Sequence, residues 1–243
     1  MVNPGIFLAI GLAVVHAFFS KLTIPAFIPH HKWLSFAGGV SIGFVFLEIF
    51  PELSHAQEEI EHAQLPLLIY LENHVYLLAL LGLVVFYGLD SLVLQSRKAN
   101  QDQKNTDNAS TIIFWIHISA FALLNVILGY LLQDLGAHSL YTCILFFAAL
   151  ALHFFIIDHH LYEHHKTPYN QRGRWLLVAA IILGMVLGQS AMLDKAGVLV
   201  IWSFLAGSII LNVLKRELPD EQESCFMSFI VGAALFTGLL LAK

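Results

Sequence analysis

Eight times along the chain a run of about twenty mostly apolar residues recurs, at about 5–22, 33–50, 74–95, 111–132, 139–160, 174–192, 197–214 and 224–242. About 20 such residues span a bilayer as a helix, and in hydrocarbon every backbone N–H and C=O must find its partner within the segment. With 58% hydrophobic and 12% charged residues, the chain carries about half the charge of an ordinary soluble domain. An all-α polytopic membrane protein is expected, a single transmembrane domain over 1–243 with lipid as its surroundings. Residues 96–110 contain no apolar side chain larger than alanine, and a flexible cytoplasmic loop is expected there. The start, Met1–Gly5, lacks the basic region of a cleaved signal peptide. No polybasic run invites nucleic acid. Cys143 and Cys225 form no Cys-x-x-Cys pair.

Basic residues orient the runs. Lys21, Lys32, Arg97, Lys98, Lys104, Lys166, Arg172, Arg174, Lys215 and Arg216, ten of the twelve Lys and Arg, fall in alternate joints. Such loops stay cytoplasmic, so both termini are expected outside, with the plasma membrane as the expected location. An internal echo suggests the arrangement. Ala37–Gly38 is followed by Glu48 and Pro51–Glu52, and Ala206–Gly207 by Glu217 and Pro219–Asp220, with eleven residues from Ala to Glu in both. Similar motifs on oppositely directed helices predict inverted repeats, a transporter habit, with helices 1–3 and 6–8 enclosing 4 and 5. Gly38, Gly39, Gly43, Gly207 and Ser208 would let helices approach closely.

Chemistry concentrates between Ala151 and His165, where an apolar helix ends in a knot of imidazoles and carboxylates and five of the 13 histidines fall. Ionisable groups at such depth are costly and point to a functional site. Counted from the joint near residue 136, His117 and His153 lie at nearly equal depth, and paired imidazoles suit Zn²⁺ or Fe²⁺. His153, His160 and His164 share one line at helical spacing, with Asp158 on its shoulder. Glu48 and Glu52 stand near the outer end of helix 2. They are followed by an outer joint with His55, Glu58, Glu59, Glu61, His62, Glu72 and His74 and no Lys or Arg, a composition that gathers cations. The plainer readings are a histidine bonded to its neighbouring helix, a solvated collar, and a helix end rising into water.

The run Ala37–Gly–Gly–Val–Ser–Ile–Gly–Phe–Val–Phe–Leu–Glu48–Ile–Phe–Pro51–Glu52 resembles helix 2 of the ZIP family of divalent-metal transporters, with Glu48 in the place of the family's histidine. Ala206–Asp220 resembles its helix 7 loosely. The resemblance spans nearly the whole chain and implies an eight-helix, 3+2+3 inverted-repeat bundle with a metal site between helices 4 and 5. Of the family's helix 4 motif only His117 is kept, and of its helix 5 motif His153 and the closing acid, Asp158. The other ligands are apolar here, so a single leaner site of His117, His153 and Asp158 replaces the family's binuclear one.

The resulting expectation is a transporter, not an enzyme, that moves a divalent metal ion (zinc or iron) towards the cytosol. Ions would pass Glu52 and Glu48, meet His117, His153 and Asp158, and leave over His160 and His164. The metal is the cargo, no organic cofactor is implied, and a homodimer is compatible. Two alternatives stand beside it. One is a ZIP-shaped metal sensor without flux. The other is a di-iron oxygenase using the box His160–Leu–Tyr–Glu–His164–His165.

Overall fold

Residues 4–18, 29–63, 74–104, 111–135, 140–190, 195–218 and 225–242 are described by the computed structural model of the chain. In order they form α1 (Pro4–Phe18), α2 (His30–Phe44), α3 (Phe50–Ala63), α4 (His74–Lys104), α5 (Thr111–Leu135), α6 (Leu140–Pro168), α7 (Arg174–Gly188), α8 (Lys195–Asn212) and α9 (Phe226–Leu241). Three π turns join or extend them: Val45–Ile49 between α2 and α3, Tyr169–Gly173 between α6 and α7, and Val213–Glu217 after α8. Five joined helices are long and apolar enough to cross a membrane, His31–Ile60, His74–Gln101, Thr111–Leu132, Leu140–Gly188 and Ala196–Lys215, with Pro4–Phe18 and Phe226–Leu241 as shorter apolar helices. The protein is an all-α integral membrane protein.

The eight separate spans and the 3+2+3 inverted-repeat arrangement expected of a ZIP-like fold are not what the chain forms. The described residues make seven joined helices with five candidate spans. The largest departure is at 139–192, where two expected helices are one element from Leu140 to Gly188. Polar residues do not by themselves break a helix, and nothing between Asp158 and His165 is Gly or Pro. The only interruption is Lys166, at φ 47° and ψ −118°. Pro168 follows within the first turn after that break, where a missing N–H costs little. The helix of 33–50 likewise continues past Pro51. Proline has no N–H for the carbonyl four residues back, and the π turn before it, closed by Phe50 N–H onto Val45 O, takes up the misfit. Helix α4 extends through Lys104, so helical backbone occupies most of the polar joint expected as a loop, and 105–110 lie outside the described residues. The echo has a backbone counterpart, since Glu48 and Glu217 both fall in π turns.

The chain divides into two compact units. Unit 1 comprises Met1–Leu22, Val85–Cys143 and Phe154–Ser190. There α5 packs on α7, and α1 on both. A side-chain carbon on Gly129 or Gly184 would run into the backbone of Ile181 or Val126 respectively, so hydrogen at these positions is what lets α5 and α7 touch. Unit 2 comprises Thr23–Val84, Ile144–His153 and Ala191–Lys243. Within it α2 lies along α9. Gly39 abuts Phe229, Gly232 abuts Phe36, and Gly43 faces the Phe236 ring, so the two helices run in the same direction. Gly82 and Gly207 make a second close contact, on Phe204 and Ala79.

Candidate functional site

Unit 1 holds a polar cluster in the middle of apolar helices. His16, in the last turn of α1, is fully buried and reaches Asp158 of α6, with Nδ1 at 2.8 Å from Oδ1 and 2.9 Å from Oδ2. Its Nε2 is 3.0 Å from Asn125 Oδ1 on α5. The Asn125 amide nitrogen donates to the Phe121 carbonyl at 2.9 Å, and a carbonyl only accepts, so the Asn125 oxygen faces the ring. Nε2 of His16 therefore donates to Asn125, and Nδ1 and the Asp158 carboxyl share one proton between them. Its ring stacks on Phe154 with centroids 4.4 Å apart, a favourable place for a cation. The Tyr169 hydroxyl donates to Asp158 Oδ1 at 2.5 Å. The result is an aspartate and a histidine side chain sharing a proton, with one amide and one phenol closing the remaining valences.

Local sequence explains how Tyr169 arrives there. It opens the π turn that follows Lys166, and Arg174 N–H closes that turn on the Tyr169 carbonyl. Gly173 leaves room for the ring, because a Cβ there would lie 2.7 Å from Tyr169 Cδ2 and 3.2 Å from Ile118 Cδ1. π turns recur at functional sites for this reason, since they re-aim one side chain.

A second polar layer lies on the same helices. His117 Nδ1 is 3.0 Å from His165 Nε2, and His117 Nε2 is 3.4 Å from Asp90 Oδ1. The carboxylate favours the proton on Nε2, leaving Nδ1 to accept from His165. Beside it, Arg97 Nη1 approaches His164 Nδ1 to 2.6 Å, and His164 Nε2 is 3.0 Å from His160 Nε2. A guanidinium only donates, so His164 Nδ1 accepts and its Nε2–H is left to donate to His160 Nε2. His117 precedes Asn125 by eight residues and His165 follows Asp158 by seven, so about 11 Å of helix separates the layers. Phe121 and Leu161, both buried, occupy the intervening turn. Phe121 meets His117 edge-on at 5.1 Å.

Of the expected ligands, Asp158 and His117 are both in unit 1, each in one of these layers. His153 is buried and belongs to unit 2. The pathway residues His160 and His164 come together, held by Arg97. Glu48 and Glu52 belong to unit 2, half-buried in the π turn and exposed in α3 respectively. In the outer joint His55 and Glu59 pair at 3.8 Å on the surface, while Glu72 lies outside the described residues. Sequence reading missed His16, Asn125, Tyr169, Asp90 and Arg97. The signal for two of them was present. His16 is the one ionisable side chain between Gly5 and Phe18, and Asn125 stands alone in the apolar run Phe121–Leu128.

These features define the class: a polytopic helical membrane protein with buried ionisable groups. Compared with known proteins, the chain matches no family model and no curated protein. Among the described residues no group of three or more His, Cys, Asp or Glu is placed to hold a metal ion.

Proposed function

We propose that the protein is a membrane transporter of a divalent metal cation and that its cargo station is the His16–Asp158 pair with Asn125 and Tyr169. One observation carries the reading: an aspartate side chain with no exposure to solvent, inside a membrane unit, paired with a histidine and not with Lys or Arg. Structural ion pairs favour guanidinium, which never gives up its charge. A histidine can, and its neutral form is a ligand for zinc- or iron-like cations. Two residues of the His and Asp type, an amide oxygen and a phenol oxygen make a lean donor set, suited to an ion that must leave again. The resemblance of helix 2 to ZIP transporters supports the cargo class. Flux towards the cytosol, with both termini outside the plasma membrane, is part of the same proposal. This reading takes Asp158 from the sequence expectation and gives His16 the imidazole role that His153 was expected to fill.

Reconstituted protein should pass Zn²⁺ or Fe²⁺ into vesicles, and Asp158→Asn should reduce the rate to that of protein-free vesicles while leaving a monodisperse protein. Wild-type flux from Asp158→Asn would overturn the proposal. Metal binding without flux in the unaltered protein would favour the sensor. Two bound irons with dioxygen-dependent turnover would favour the oxygenase.

A further inference from the structure

Lys166 is the one described non-glycine residue with positive φ, at 47° with ψ −118°. A side chain in this part of backbone space is strained, and such residues persist only where their surroundings over-determine them. The surroundings are identifiable. One residue upstream, His165 is fixed on His117, and two upstream, His164 is fixed on Arg97. Three residues downstream, Tyr169 is fully buried with its hydroxyl on Asp158. The lysine side chain is occupied with only weak surface contacts, Glu163 Oε2 at 3.2 Å and the Tyr162 ring at 5.9 Å. The strain is thus imposed by the anchors on either side.

We infer that Tyr169 is a positioning residue for the Asp158 carboxylate and that its hydrogen bond is the catch holding the Lys166 joint in its unfavourable conformation. Release of the phenol from Asp158 and relaxation of Lys166 are one event. In the held state His16 lies against both oxygens of the carboxylate and the Tyr169 hydroxyl covers Oδ1. In the released state the Tyr169 side is uncovered, and that is the side from which a cation reaches Asp158. The upstream anchors stay in place, because they belong to the helix that carries Asp158 itself. The inference rests on the cargo station proposed above, but its main test does not.

Four proteins in lipid nanodiscs decide it: unaltered, Lys166→Gly, Tyr169→Phe and the double variant, each melted thermally beside Lys166→Ala. Glycine tolerates positive φ and alanine does not, so Lys166→Gly should melt several degrees above Lys166→Ala, the reverse of their order inside a helix. In the Tyr169→Phe background the gain from Lys166→Gly should shrink to a small fraction, because the joint has already relaxed. Non-additivity of this kind is what a double-mutant cycle reports for coupled residues. Equal melting of the Gly and Ala variants, or an equal gain in both backgrounds, would overturn the coupling. Flux then reads the consequence. Tyr169→Phe should raise the half-saturating cation concentration several-fold with little loss of maximal rate, whereas Lys166→Gly should lower the maximal rate with little effect on half-saturation. If the melting cycle holds while Asp158→Asn still transports, the joint is real and the cargo station is wrong.

Discussion

The two units of the chain are packed alike and charged differently. In unit 1, Gly129 and Gly184 bring α5 against α7, and in unit 2, Gly39 and Gly232 bring α2 against α9. Both buried carboxylates among the described residues, Asp90 and Asp158, are in unit 1, together with His16, His117, His164 and His165. The buried polar groups described in unit 2 are hydroxyls, amides and the two imidazoles His74 and His153, and several of them bond to their own helices. Ser203 donates to Leu199 O, Ser208 to Leu205 O, and Asn212 to Ser208 O. A hydroxyl satisfied one turn back asks nothing of a neighbouring helix. His16 does, because both its ring nitrogens are held by side chains of other helices, Asp158 and Asn125. The same packing device therefore builds a neutral scaffold in one unit and an electrically committed core in the other.

The largest effect should come from breaking that commitment on one side only. His16→Leu leaves Asp158 unpaired, and removing one partner of a buried pair costs about 3–5 kcal/mol. His16→Leu with Asp158→Leu removes both partners and should recover most of that stability, as measured by thermal unfolding in nanodiscs, while flux stays absent. In unit 2 the counterpart, Ser208→Ala, should cost about 1 kcal/mol or less. If the double leucine variant were no more stable than His16→Leu, the pair would be a packing feature and the contrast between the units would fail.

Next in size are the glycines, where the units should behave alike. Gly184→Val and Gly232→Val both force a branched side chain against a backbone that cannot yield, Val126 in one unit and Phe36 in the other. Overpacking of this kind costs about 1–3 kcal/mol, read as a fall in melting temperature. A large loss in one unit and none in the other would show that the shared packing device matters in only one of them.

How much of this was legible follows from which physics each feature uses. Apolar runs set the helices, because in lipid their own backbones must satisfy themselves, and Gly39, Gly43 and Gly207 were readable as contact positions for the same local reason. The joint at Lys166 was not readable. A lysine carries no preference for positive φ, so the conformation is imposed by the contact of His165 with His117, far away in sequence, and by the reach of Tyr169 back to Asp158. His16 and Asn125 were visible as isolated polar residues, but their meeting depends on α1 packing against α5, which no spacing along the chain encodes. Depth counting paired His117 with His153 because depth is a one-dimensional property. It could not choose their partners, because facing is not.

The smallest effect distinguishes the cysteines, one in each unit. Cys143 in unit 1 is buried, and Cys225 in unit 2, just before α9, is half-exposed. Ser228 donates its hydroxyl to Cys225 Sγ at 3.2 Å, and this hydrogen bond lowers the thiol from its ordinary range. A lowered thiol is more ionised at a given pH, and the thiolate is the nucleophile. Cys225 should therefore react with a maleimide while Cys143 does not. Ser228→Ala should raise the thiol and slow Cys225 labelling by about a few-fold near neutral pH, with the difference closing as pH rises and both forms become fully ionised. Labelling of Cys143 at a comparable rate would mean that the core of unit 1 opens to reagent as readily as the rim of unit 2. The ionic core would then lose the seclusion from water on which its pairing depends.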